Sequence, residues 1–220
     1  MIGKKNISEE DQKIQLKKLQ ELKSEYFNKA HVNCDVFVKT GDLNQVILDT
    51  KETQEVDLIV MGTSGSTGKE DSSNTSELLA KADCPVLVIP KNTAEFQLKN
   101  IALAIDDKEF DDASHLGIIH DFARWFDAKV HLLTIENEDS PVKANKNSET
   151  LEYYLDTLDY RHSFEKNMDI EKGINDYIIQ KDIDILAIMP RNHAKKSEPS
   201  EGRLTKVLAL NCIKPLLVID

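Results

Sequence analysis

The chain repeats itself, and the second copy begins with a stretch that the first does not have. Asp42-Leu43 recurs as Asp169-Ile170 and Asp57-Leu58-Ile59 as Asp184-Ile185-Leu186, both 127 positions on. Thr75 and Pro85 recur as Thr205 and Pro215, 130 positions on, and Val86-Leu87-Val88-Ile89 is answered by Leu216-Leu217-Val218-Ile219. Self-similarity at a fixed offset marks a duplicated structural unit. Asn100 to Asn137 opens the second copy, and moving it back by 127 gives positions -27 to 10. The first copy is therefore expected to lack its opening third, that is its first strand, first helix and second strand. The boundary falls near Lys91 to Lys99, giving a partial domain over residues 1–93 and a complete one over 94–220.

A hydrophobic content of 40% with 6% aromatic residues suffices for a packed aliphatic core. The balance of 28 basic against 39 acidic side chains leaves a net charge of -11, and no Lys/Arg cluster overrides it. Such a chain repels a phosphate backbone, which argues against nucleic acid as a partner. The N-terminus leads into a charged helix without an apolar core segment, and no apolar run reaches the roughly 18 residues of a membrane helix. A cytoplasmic protein without membrane contact is expected. Cys34, Cys84 and Cys212 form no CxxC pair and read as small buried hydrophobes. His115 and His120 lie on different faces of one helix, and no histidine spacing suits a metal.

Leu16, Leu19, Leu22 and Tyr26 predict an amphipathic helix from about Ser8 to Lys29 with Ser8 as its cap. Cys34 to Val38 reads as a short strand. Leu43, Val46, Ile47 and Thr50 form the next helical stripe, capped by Asp42, with Ile170, Gly173, Ile174 and Tyr177 as their counterparts. Leu58 to Met61 and Ile183 to Met189 are continuously apolar, as strands covered on both faces must be. In each copy a loop, a helix ending near Ala82 or Asn211, and a last apolar strand follow. The second copy opens with a strand at Ile101 to Ile105, a helix with the stripe Leu116, Ile119, Ala123 and Phe126, and a strand at Val130 to Ile135. Asn137 to Ser148 reads as a polar loop. The alternation of strand and helix predicts an α/β fold of two flavodoxin-like units with parallel sheets, the first incomplete.

Chemistry is expected after Leu58 to Met61, in the run Gly62 to Ser76. Glycines directly after a parallel strand let main-chain N–H groups approach an anion, and a following helix adds its positive end. A Walker loop would need Gly at Thr63 and Ser or Thr at Glu70, and a dinucleotide fingerprint would need G-x-G where two residues separate Gly62 from Gly65. Neither motif applies. Gly62, Gly65 and Gly68 serve either a tight turn at positive φ or an anion.

Asp57 to Gly65, then Ser73-Asn74-Thr75, then Cys84-Pro85-Val86-Leu87-Val88-Ile89 resemble the second half of a universal stress protein domain. The resemblance covers nearly the whole chain as a tandem pair, more weakly in the second half. It implies the adenine nucleotide alpha hydrolase-like fold, five parallel strands in the order 3-2-1-4-5. It also implies dimers or tandem pairs joined through the last strands. ATP-binding members carry Gly-x-x-Gly, nine residues, then Gly and Ser or Thr, with an Asp at the end of the first strand beside the adenine. The resemblance thus assigns cofactor binding to Gly62, Gly65, Ser72, Ser73, Thr75 and Asp106.

The departures from that pattern are specific. Counting on from Gly65 reaches Thr75 at the place of the third glycine, and aligning on Ser73-Asn74-Thr75 puts Ser72 there. Glu70 and Asp71 set two negative charges where a triphosphate would lie, against Lys69 alone. Met189-Pro190-Arg191-Asn192-His193 replaces Gly-x-x-Gly in the second copy, which is therefore degenerate in its motif although Asp106 matches. One copy keeps the loop and the other keeps the adenine wall. Asp106 and Asp107 also suit a helix cap, and Arg191, His193, Lys195 and Lys196 suit either an anion or solvent. The hydroxyls of the first loop, from Thr63 to Ser76, suit phosphorylation by a kinase or merely a polar loop. No nucleophile, base and orienting group come together, so no catalytic residue is assigned. The expectation is a universal stress protein acting through pairing and partner binding, without a cofactor or with ATP at low affinity. It would form a homo-oligomer through its final strands and the open edge of the first copy. The alternative is an ATP-binding switch or weak ATPase using Gly62 to Ser76.

Overall fold

A computed structural model describes residues 8–63, 74–91, 93, 97–106, 114–136, 148–189, 203–211 and 213–219. The chain divides into two compact units, Met1–Val56 and Asp57–Asp220. This division lies well before the repeat boundary near residue 93, because the second half of the first copy shares a sheet with the second copy.

The first unit contains α1 (Glu9–Leu22), which continues as a π-helical turn at Lys23–Phe27, and α2 (Leu43–Gln54). The caps are those expected. Ser8 accepts from the Asp11 N–H at 3.1 Å and Asp42 from the Gln45 N–H at 3.0 Å, satisfying donors the first turn leaves free. Glu55, in the left-handed region at φ 49°, ends α2. Asn44 is the one fully buried residue among those described in this unit, while Ile14, Leu22, Tyr26, Phe27, Val32 and Phe37 are exposed. By itself the unit has no apolar core.

The second unit holds β1 (Ile59–Thr63), α3 (Asn74–Leu79), β2 (Val86–Pro90), β3 (Asn100–Ala104), α4 (Gly117–Phe126), β4 (Lys129–Glu136), α5 (Ser148–Leu155), β5 (Tyr160–Lys166), α6 (Ile170–Gln180), β6 (Ile185–Ile188), α7 (Arg203–Asn211) and β7 (Leu216–Val218). Its sheet runs β1-β2-β7-β6-β3-β4-β5. From β7 to β5 every neighbour is parallel, and the second copy has the expected order, third-second-first-fourth-fifth reading in from β5. β2 and β7 pair antiparallel, with Val86 opposite Val218, Leu87 opposite Leu217 and Val88 opposite Leu216. Leu87 and Leu217 are counterparts in the repeat, so a local two-fold passes between them. The expected pairing of the two last strands is thus met within one chain, and neither offers a free ladder to a second copy.

About this two-fold, β1 corresponds to β6. β6 has β3 on its far side, whereas among the described residues β1 pairs with β2 alone. Asp184 accepts from the N–H groups of Lys99 at 2.7 Å and Asn100 at 2.9 Å, tying the start of β3 to β6. Its counterpart Asp57 is exposed. Cys34 to Val38 is not a strand, against expectation. Residues 161–165, which lie 127 positions further on, are strand in β5 because β4 supplies their ladder. Without such a partner the same stretch of the repeat has no hydrogen bonds to make it a strand.

Leu98, Ile101, Leu103, Leu116, Ile119, Val130, Leu132, Leu151, Leu155, Leu217 and others form one buried cluster across the repeat boundary. On α6, Gly173 approaches β4 closely, since an added Cβ would lie 3.0 Å from Asn167 Cβ and 3.1 Å from two side-chain atoms of Ile135. Its counterpart is Val46. Gly173→Val is therefore expected to cost about 1–3 kcal/mol in chemical denaturation through overpacking, although it puts back the residue that the other copy uses. Gly173→Ala should be nearer neutral, since helix propensity returns about 1 kcal/mol.

Candidate functional site

Gly62 sits near the carboxyl end of β1, opposite Ile89. It is exposed, its φ is not positive, and an added Cβ would meet nothing within 4 Å. The turn at positive φ therefore does not account for this glycine, and among the described residues nothing approaches it closely. Gly65, Gly68, Ser72 and Ser73, with Lys69, Glu70 and Asp71, lie outside the described residues. Thr75, beyond that loop, is buried in α3, as is Ser76. Asp106 follows β3 and is exposed.

The structure does not bring Asp106 to Gly62 and Thr75. β1 and β3 run in opposite directions, because the antiparallel β2/β7 ladder lies between them, so their carboxyl ends point to opposite ends of the sheet. β2, β7 and β6 also lie between them, so that β1 and β3 are four strand spacings apart, about 19 Å across the sheet. Across the sheet β3 has β6 beside it instead, and continuing the register of Ala104 opposite Ile188 puts Met189 beside Ile105, next to Asp106 in the chain. Pro190 to His193, and Lys195 and Lys196 beyond them, lie outside the described residues, as does Asp107.

A polar cluster that the sequence reading did not single out lies elsewhere, in the β4–β5 ladder. His131 on β4 is buried, with Nδ1 3.0 Å from the hydroxyl of buried Tyr177 on α6. That hydroxyl donates to Ser163 Oγ on β5 at 2.8 Å. Arg161 Nη2 lies 3.3 Å from the same nitrogen. Burial, then the charges of Arg161, Lys181 and Lys129, push His131 down to about 4, and Asp159 opposes them weakly. His162 on β5 sits 3.0 Å from Thr134 Oγ1, stacks on Phe164 at 4.1 Å between centroids, and is lowered by burial. The clue in the sequence was a histidine within the apolar run Val130 to Ile135, where a buried polar group needs a partner.

Among the described residues no group of three or more His, Cys, Asp or Glu is placed to hold a metal, and no helix is long and apolar enough to cross a membrane. Cys84 is buried and Cys34 half-buried, and neither is in a disulfide.

Residues 3–90 match the profile of the universal stress protein family. No curated protein matches the sequence. Among solved structures, a universal stress protein from Archaeoglobus fulgidus DSM 4304 is similar over 100% of this chain and 85% of its own, at TM-score 0.68 and 13% identity. A protein described as a universal stress protein, from Pseudomonas aeruginosa UCBPP-PA14, is similar over 92% of this chain and 77% of its own, at TM-score 0.69 and 19% identity. A functionally unknown protein from Pseudomonas aeruginosa PAO1 is similar over 97% and 79%, at TM-score 0.66 and 20% identity. These likenesses concern the fold, and the family match concerns the sequence of the first copy. Residues 3–90 thus match the universal stress protein family in sequence, and the chain as a whole shares its fold with those structures, including the strand order 3-2-1-4-5 of the second copy.

Proposed function

We propose that this chain works as a universal stress protein, by pairing and by binding protein partners, with nucleotide binding vestigial or lost. The observation that carries the reading is the separation of Gly62 and Thr75 from Asp106 at opposite ends of one sheet. A pocket that needs a phosphate loop and an adenine wall together has them on different copies. The departures at Thr75, Glu70, Asp71 and Met189 to His193 support the same reading.

Pairing between copies falls to β1. Its sequence Ile59-Val60-Met61-Gly62-Thr63 has no charge, proline or bulge to discourage edge-to-edge association, and Val60 is 61% exposed. β5, the other edge, carries Arg161, Glu165 and Lys166. Joined about a two-fold, two β1 strands form an antiparallel ladder. Static light scattering should give a dimer or larger assembly at micromolar concentration. Val60→Lys should raise the dissociation constant tenfold or more while leaving the melting temperature of the dissociated chain within a few degrees. A wild-type monomer at micromolar concentration would remove pairing from the reading.

A further inference from the structure

We propose that β5 is an acid-released edge: protonation of His131 and His162 frees β5 from β4 while the ladders from β3 across to β1 stay closed. Among the described residues β5 is the outermost strand and pairs with β4 alone. One chain of hydrogen bonds, from His131 on β4 through Tyr177 on α6 to Ser163 on β5, holds the three elements together. Arg161 lies directly opposite His131 in the register, so a proton added to the buried imidazole sets a second cation 3.3 Å from the guanidinium of exposed Arg161. The imidazolium loses its hydration by burial and is repelled by a like charge that close, burial being the larger of the two effects.

Among the described residues, Asp159 alone favours a charge on His131. Lys129 on the same strand and Lys181 after α6 are cations, and Ala102 faces it from β3. Asp159, which favours the charged form, is already paired with Lys129 at 2.9 Å. His162 is held neutral by burial, with Thr134 and the Phe164 ring as its neighbours. Glu136 and Glu165 lie toward the other end of the ladder, Glu136 opposite Lys166. The five other strands, Ile59–Thr63, Val86–Pro90, Asn100–Ala104, Ile185–Ile188 and Leu216–Val218, contain no titratable side chain at all. Acid therefore acts on one ladder of the sheet, and opening it exposes the eight-residue edge of β4.

Hydrogen exchange on the intact chain, corrected for the intrinsic effect of pH, tests this. One linked proton, with His131 at about 4 in the closed state and 6.5 in the open one, raises the opening constant of residues 161–165 roughly fiftyfold between pH 7 and about 4.5. Amides of residues 86–89 and 216–218 should change less than about threefold over the same range. His131→Gln should abolish most of the rise. Should that variant fold poorly, the His131 ring resonances of the wild type give a second readout, titrating together with the loss of contacts between residues 131 and 161. Equal loss of protection across all ladders, a full rise in the glutamine variant, or a His131 that titrates at an ordinary 6.5 with β5 still protected would each overturn the proposal.

Discussion

Leu217→Ala should cost roughly 2–5 kcal/mol in urea denaturation and lower the melting temperature by several degrees or more. Leu217 is fully buried, belongs to the main core cluster and stands opposite Leu87 at the local two-fold of the β2/β7 ladder. That ladder joins the two copies, so the cavity left by the alanine falls where the sheet has no alternative connection. Leu87, slightly more exposed, should cost less when cut back to alanine, and the two losses should not add, because the side chains share one space. A cost below about 1 kcal/mol for Leu217→Ala would mean that the two last strands do not meet in this register.

Acid should weaken the fold by up to about 3 kcal/mol through His131 alone. The direction follows from the lowered value: between 6.5 and about 4 the unfolded chain holds a proton on this imidazole and the folded chain does not. Stability from this group is therefore fully present above 6.5 and is lost as pH falls through that window. His162, also lowered, acts in the same direction. Denaturation of the wild type and His131→Gln from pH 7.5 to 4 separates this from other acid effects. At neutral pH the variant should be less stable by about 1 kcal/mol for its lost hydrogen bond, and the gap should close or reverse in acid. A gap that does not change with pH would show that His131 keeps its proton affinity on folding.

Much of this fold was legible in the repeat. The offset of 127 paired Asp42 with Asp169, both of which cap helices, and the continuous apolar runs marked β1, β6, β2 and β7 as strands, although β1, read as covered on both faces, has Val60 61% exposed. Cys34 to Val38 was misread because its pattern suits a strand while its partner is missing, and strand formation depends on a ladder that local sequence does not encode. β5 escaped notice for the opposite reason: Tyr160 to Lys166 is polar enough to read as loop, yet β4 makes it a strand. At the candidate site, Gly62, Thr75 and Asp106 were identifiable by resemblance. Their separation was not, because it arises from the antiparallel join of the two copies. The His131 cluster draws on β4, β5 and α6, and no short motif brings those residues together.

Isothermal titration with Mg-ATP, at protein concentrations that reveal micromolar binding, tests whether the divided site is incompetent. With Gly62 and Thr75 at one end of the sheet and Asp106 at the other, the expected result is no heat of binding, or a dissociation constant well above about 10 μM. A dissociation constant below about 10 μM, more than roughly 7 kcal/mol of binding, would contradict the account and show that one end of the sheet, or a neighbouring copy, supplies both halves of the pocket.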